Sequence, residues 1–327
     1  MKIGLWSNHS NLFNYKKNRD GYTYRWFDLE KKFKSMDIFL STFNSCNEVE
    51  NFDIIIENGI RDCKHDKRYL IINESPLIRP QDWNQNKHKE YKKVFTWDDE
   101  LIDEIKYFKI NYAFDIPKNI PKKFEDKKLC CVIAGNKNVE HPQELYSKRV
   151  EFIKWFEKNH LDEFDLYGVG WKEKNFGKNF FARVLNKVKP ISKLFASKFS
   201  SYKGEVKSKN EVIKKYKFSI CYENVKDQSG YITEKIFDIF FAGCIPLYWG
   251  AKNVTDYIPK DCFIDKREFS SHQEIYEYMK NMNERTYMDY LNNIEDFLNS
   301  KKADPFRSNT FAKTIVNEIV KDLHDNS

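Results

Sequence analysis

The sequence predicts an α/β protein made of two doubly wound, parallel-sheet domains in tandem, and three observations predict it. Short runs that are apolar on both faces alternate with amphipathic ones, the pattern of strands buried between helices. The alternation stops at a stretch rich in lysine and proline near residue 120 and then restarts. At 327 residues the chain is long enough for two domains, each burying its own core.

Taken in order, KIGLW (2–6), MDIFLS (36–41), FDIIIENG (52–59), RYLIINES (68–75) and VFTW (94–97) have the composition of strands. YRWFDLEKKF (24–33) and DELIDEIKYF (99–108) are the amphipathic runs between and after them, expected as helices. INYAFDIP (110–117) closes the first domain, and PKNIPKKFEDKK (117–128) forms a linker. The second domain begins with the strand KLCCVIAG (128–135) and the helix ELYSKRVEFIKWFEKN (144–159). It continues through the strand FDLYG (164–168), the short helix NEVIKKY (210–216) and the strand KFSICYEN (217–224). Beyond Ser270 apolar residues recur at helical spacing in EIYEYMKNM, YMDYLNNIEDFL and TFAKTIVNEIVKDL. The expected organisation is therefore residues 1–122, residues 123–300 and a C-terminal helix at 301–327. Two such domains are expected to face a central cleft with the carboxyl ends of their strands.

Seven cysteines without CxxC spacing, most of them in apolar runs, are expected as reduced, buried residues. MKIGLW leads directly into a strand-like run rather than a secretory leader, and no apolar stretch reaches eighteen residues. A cytoplasmic protein is the expectation.

The chemistry concentrates in DQSGYITEKIFDIFFAGCIPLYWG (227–250). Gly230 supplies a turn, Tyr231 to Lys235 are expected to form a first helical turn, and Gly243 is expected to end the helix in a left-handed conformation. A helix N-terminus carries free N–H groups and a partial positive charge, which suits phosphate, and Lys235 adds a full charge. Glu234 accepts from hydroxyls and Tyr231 can stack or donate, so the cluster suits a sugar nucleotide. Ordinary helix electrostatics explains the same acid and lysine equally well from this cluster alone.

With YKFSICYEN (216–224) ahead of it, this run resembles the donor-binding signature of the family 10 glycosyltransferases, the α-1,3/1,4-fucosyltransferases that use GDP-fucose. CCVIAGN, SKRVEF and DLYG are similar to that family's preceding elements in the same order, and INESP (72–76) to its N-terminal Glu-Ser-Pro element. The resemblance covers the C-terminal half almost continuously and the N-terminal half in patches. It implies a GT-B architecture of two Rossmann-like domains, acceptor domain first and donor domain second, and inversion at the anomeric carbon. It implies that Arg149, Asn224 and Lys235 hold the diphosphate, that Tyr231 and Glu234 contact nucleoside or fucose, and that Glu74 is the general base. Asn136 and Thr233 fall within the matching segments as further donor-binding candidates.

These roles are chemically coherent. An inverting displacement needs one base for the acceptor proton and cations for the charge growing on the departing diphosphate. No Asp-x-Asp pair occurs in the sequence, so Arg149 and Lys235 are expected to replace a metal ion, and no cofactor is expected. Glu74 lies just past a strand, on a loop expected to face the cleft. Asp98, Asp99 and Glu100 compete for the role of base. Glu223 either contacts ligand or pairs with Lys217 or Lys235.

The positive charge is also localised. Residues 171–203 hold nine basic residues against the single acid Glu173, a local charge of +8 that leaves −1 for the rest of a chain totalling +7. Phe176, Phe180, Phe181, Val184, Leu185 and Val188 share one helical face there. This insertion either docks on an anionic membrane surface near a lipid-linked acceptor or packs on the donor domain. Nucleic acid is not expected, since no recognition motif accompanies the charge. The expected activity is transfer of L-fucose from GDP-fucose to a GlcNAc-type hydroxyl of a bacterial surface glycan, at the inner membrane. The alternatives are a relative using another GDP-sugar or acceptor, and a silent nucleotide- or glycan-binding protein.

Overall fold

The computed structural model describes residues 1–8, 12–13, 23–172 and 199–325. In chain order come β1 (Lys2–Trp6), α1 (Tyr24–Lys34), β2 (Phe39–Phe43), β3 (Ile54–Asn58), β4 (Arg68–Ile72), β5 (Lys93–Thr96) and β6 (Tyr107–Lys109). Then follow β7 (Lys128–Ile133), α2 (Tyr146–Asn159), β8 (Phe164–Tyr167), β9 (Tyr202–Gly204), α3 (Lys209–Ile213), β10 (Tyr216–Tyr222) and α4 (Glu234–Phe241). The chain finishes with β11 (Ile245–Trp249), β12 (Ile264–Asp265), α5 (His272–Lys280), α6 (Glu284–Asn299) and α7 (Ser308–Asp325). It divides into two compact units, the first holding residues 1–116, 228–234 and 300–327, the second 117–227 and 235–299.

The first unit is built on a parallel sheet of order β2-β1-β3-β4-β5-β6. Its strands are apolar on both faces because both are covered. Ile54, Ile56, Tyr69 and Ile71 join the core beneath α1 and α7, whereas Ile55 and the pair Leu70 and Ile72 belong to separate clusters on the other side. The terminal helix α7 is part of this core: Phe311 meets Trp26 of α1 edge-on at 5.5 Å, and Lys93 of β5 pairs with both Glu318 and Asp322.

Two expectations change in this unit. DELIDEIKYF is a turn leading into β6, not a helix. Asp103 Oδ1 accepts the backbone N–H groups of Ile105, Lys106 and Tyr107 at 2.9, 2.8 and 2.8 Å, and Glu104 adopts φ +57°, so the side chain captures donors that a helix would have used. The cysteines are not all reduced. Cys46 and Cys63 form a disulfide, because the loops following β2 and β3 converge to a Cα separation of 5.1 Å, a proximity that their 17-residue spacing does not reveal. The cysteine argument for a reducing compartment is thereby lost. Cys130, Cys131, Cys221, Cys244 and Cys262 take no part in a disulfide and are buried as expected.

The second unit repeats the parallel design with order β12-β11-β10-β7-β8-β9. Helix α2 buries Arg149, Phe152, Ile153 and Phe156, and Phe156 stacks on Phe164 of β8 at 4.7 Å. Helix α4 buries Ile236, Phe237, Ile239 and Phe240. It ends as expected: Gly243 has φ +62°, the Cys244 N–H donates to Ile239 O, and a Cβ at Gly243 would stand 1.8 Å from Pro121 O. The helix begins later than expected, at Glu234, with Tyr231 to Thr233 in the non-helical approach to it. The amphipathic pieces expected within 171–203 lie mostly outside the described residues. Of the flanks, Trp171 packs on Phe199 and Tyr202–Gly204 is edge strand β9, so the C-terminal end of that segment belongs to the sheet. Among the described residues no helix is long and apolar enough to cross a membrane.

Candidate active site

In the second unit, strands are added on opposite sides of β7: β8 and β9 on one, β10 to β12 on the other. Loops leaving the carboxyl ends of β7 and β10 therefore diverge, and an open parallel sheet takes its ligands in such a place. Loop β7 continues through Ala134 to Asn136, whose N–H donates to Val169 O at 2.9 Å and whose side chain donates to Gly170 O at 3.1 Å. Strand β10 runs out into Glu223 and Asn224. Segment 224–226 then pairs with the approach to α2, Leu145 N–H donating to Asn224 O and Lys226 N–H to Gln143 O.

That pairing brings Arg149, on the first turns of α2, to the end of β10. Arg149 is only 6% exposed, and its Nη2 donates to Tyr222 O at 2.6 Å and Glu223 O at 3.3 Å. Burial lowers its pKa, opposed by the negative field of Tyr146 and Glu223, yet a guanidinium remains protonated at any working pH. Glu223 is 0% exposed and accepts Lys235 Nζ at 2.8 Å, so the expected pairing with Lys235 is present. Lys235 itself keeps 23% of its side chain accessible. Gly250 makes room for this carboxylate, since a Cβ there would lie 2.5 Å from Glu223 Cγ. Lys235 thus meets the Glu223 carboxylate while Arg149 bonds the backbone carbonyls of Tyr222 and Glu223, and two cations beside one carboxylate at the end of β10 leave positive charge for an anion.

The first unit gathers different chemistry. Glu74 follows β4 and is half-buried. Tyr231 lies in the same unit, 1% exposed, its ring 4.6 Å from Trp97 and 6.4 Å from Tyr112. Thr233 is equally buried and Glu234 half-buried. Burial raises the Tyr112 pKa, and Tyr231, Glu74 and Glu234 raise it further against Arg25, so these groups share one neighbourhood. The competing acids have partners of their own: Asp99 pairs with Lys109 at 2.6 Å, Glu100 accepts the Ser229 hydroxyl, and Asp98 Oδ1 accepts the Glu100 N–H. Asp98 has its pKa raised by burial and by Glu100 and Asp99.

The sequence-derived candidates therefore separate into two groups: Asn136, Arg149, Glu223, Asn224 and Lys235 in the second unit, and Glu74, Tyr231, Thr233 and Glu234 in the first. The aromatic residues Trp83, Trp97 and Tyr112 around Glu74 and Tyr231 were not singled out. Their only sequence signal is a high local density of rings.

Residues 122–326 match the family described as Glycosyltransferase family 10 (fucosyltransferase) C-term. The chain belongs to glycosyltransferase family 10. Over 117 residues it is 36% identical to the alpha-(1,3)-fucosyltransferase FucT of Helicobacter pylori, covering 35% of this chain and 24% of that protein. A longer stretch of 190 residues is 34% identical to 4-galactosyl-N-acetylglucosaminide 3-alpha-L-fucosyltransferase 9 of Bos taurus, covering 57% of this chain and 40% of that one. The chain thus spans less than half the length of these curated relatives. A crystal structure of an alpha1,3-fucosyltransferase superposes with a TM-score of 0.59 at 18% identity, over 98% of this chain and 90% of the other. T4 phage BGT in complex with UDP and Mn2+ superposes with a TM-score of 0.56 at 13% identity, over 98% and 99%. At these identities the likeness is one of fold, and the family 10 chain has the GT-B fold.

Proposed function

We propose that this family 10 chain transfers L-fucose from GDP-fucose to a GlcNAc-type hydroxyl of a bacterial surface glycan, with inversion and without a metal ion. The observation that carries the reading is the meeting of Arg149 and Lys235 at Glu223, at the strand-order reversal of the second unit. The second unit is accordingly the donor domain and the first the acceptor domain. The fucosyltransferase relatives, among them solved structures with GDP and with GDP-fucose, support the choice of donor.

The reaction follows from the charges. The acceptor oxygen attacks the anomeric carbon of fucose as the bond from that carbon to the β-phosphate oxygen breaks, and the departing electron pair resides on GDP. Arg149, Lys235 and the N–H groups at the start of α4 face that growing charge, while Asn136 and Asn224 complete the polar lining. Glu223 stays buried and holds Lys235 in place. Glu74 takes the acceptor proton. Tyr231, Thr233 and Glu234 form the approach to α4, with Glu234 offered to the sugar hydroxyls.

Replacing Glu74 with Gln tests the reading. Turnover of labelled GDP-fucose on GlcNAc-terminated glycans should fall by about a hundred- to ten-thousandfold, with GDP affinity within twofold of wild type. Retained turnover would move the base elsewhere.

The +8 segment at 171–203 supports peripheral contact with an anionic inner leaflet as the site of action. Deleting 173–198 spares β9 and should abolish co-sedimentation with anionic vesicles. Equal sedimentation of both forms would end that part of the proposal.

A further inference from the structure

The loop that carries Glu74 is held by two side chains that bond its backbone. The Tyr112 hydroxyl donates to Asn73 O at 2.7 Å, and the Trp83 indole N–H donates to Glu74 O at 3.1 Å. Those two carbonyls belong to consecutive peptide planes, one on each side of the Glu74 Cα. Fixing both planes fixes the direction in which the Glu74 side chain leaves the backbone. The surroundings allow little slack: Asn73 Nδ2 donates to Asn58 Oδ1 at 2.6 Å, and Ser75, 0% exposed, accepts the N–H groups of Ile78 and Arg79 through its carbonyl.

The two donors come from separate parts of the first unit, Trp83 from the short turn Pro80–Trp83 and Tyr112 from the stretch after β6. Their rings nevertheless join one wall. Trp83 lies 5.0 Å from Trp97, Trp97 lies 4.6 Å from Tyr231, and Tyr231 meets Tyr112 edge-on. Gly230 permits the close approach of this segment to Trp97: it has φ +80°, and a Cβ there would stand 2.3 Å from Trp97 O. The frame around Glu74 thus includes the segment 228–234, whose next residue is Lys235.

We propose that Tyr112 and Trp83 are positioning residues for the Glu74 carboxylate. This rests on the reading of Glu74 as the base. A carboxylate displaced by about an ångström from its proton can lose on the order of a hundredfold in rate, so two bonds that only orient its backbone acquire a kinetic effect.

The test uses the full chain with Tyr112→Phe, which keeps the ring and removes the donor, and Trp83→Phe, which removes the indole donor and leaves a smaller ring against Trp97. Each should lower kcat for labelled transfer by about tenfold or more, leaving the KM for GDP-fucose and the calorimetric affinity for GDP within twofold. In a Glu74→Gln background neither change should reduce the residual rate further, because each acts through Glu74. Wild-type kcat in both variants, equal losses in the Glu74→Gln background, or a parallel loss of GDP affinity would overturn the proposal. Thermal melts and GDP binding report folding, and if Tyr112→Phe fails to fold, Trp83→Phe decides alone. Glu74→Gln separates the two layers. If it leaves turnover intact, the base assignment and this proposal fall together. If it abolishes turnover while both donor variants work at the wild-type rate, only the positioning falls.

Discussion

The two units share a parallel six-stranded plan, each with one reversal of strand order, yet their functional edges use opposite chemistry. The second unit gathers cations at the end of β10, where buried Arg149 and half-buried Lys235 both engage Glu223. The first unit sets a carboxylate, Glu74, beside the buried rings of Trp97, Tyr112 and Tyr231. The contrast teaches that the sheet supplies only a place. What each place does is set by a few side chains on the loops leaving it. A cationic edge suits a departing diphosphate, and an acidic, ring-lined edge suits a hydroxyl that must lose its proton.

The largest expected way to break this contrast is to remove a cation from the second unit. Lys235→Met removes the ion pair of the buried Glu223 carboxylate with Lys235 and should lower stability by roughly 2 to 4 kcal/mol, read as an earlier denaturation midpoint, together with weaker GDP binding. Adding Glu223→Gln should restore much of the stability and none of the GDP affinity. Recovery of both would mean that the lysine serves only the fold.

A smaller effect sharpens the comparison from the other side. In the first unit, burial lowers the His88 pKa, aided by Lys106 and opposed by Asp82, and the ring stands between Asp82 O at 2.8 Å and the Tyr107 hydroxyl at 3.0 Å. A depressed histidine contributes stability that is fully present above the free-histidine value and is lost as pH falls through the lower folded value. Wild type should therefore lose stability on acidification below about pH 6.5, and His88→Gln should lose less over the same interval in parallel melts. Identical slopes would show that His88 has no part in it.

How much was legible in the sequence follows the same division. The cationic edge of the second unit was, because its residues cluster in two continuous runs, and because a helix closed by Gly243 is locally encoded. Even there the helix start was placed early, since Tyr231 to Thr233 are apolar or neutral residues whose burial depends on rings far away in sequence. The acidic, ring-lined edge of the first unit was less legible, since Glu74, Trp83, Trp97, Tyr112 and Tyr231 meet only through the fold. DELIDEIKYF misleads by periodicity, because the decisive bonds of Asp103 are local and polar. The Cys46–Cys63 disulfide joins loops that follow strands separated by β1, a neighbour relation known only once the sheet order is known.

The most direct test of the central claim, a metal-independent cationic cradle in the second unit, is calorimetric titration of the full chain with GDP in the presence of a chelator, with UDP alongside. GDP should bind equally well with and without chelator, UDP more weakly, and Arg149→Ala should weaken GDP by about tenfold or more. Absence of guanine-nucleotide binding, or binding that appears only on adding a divalent cation, would contradict the account.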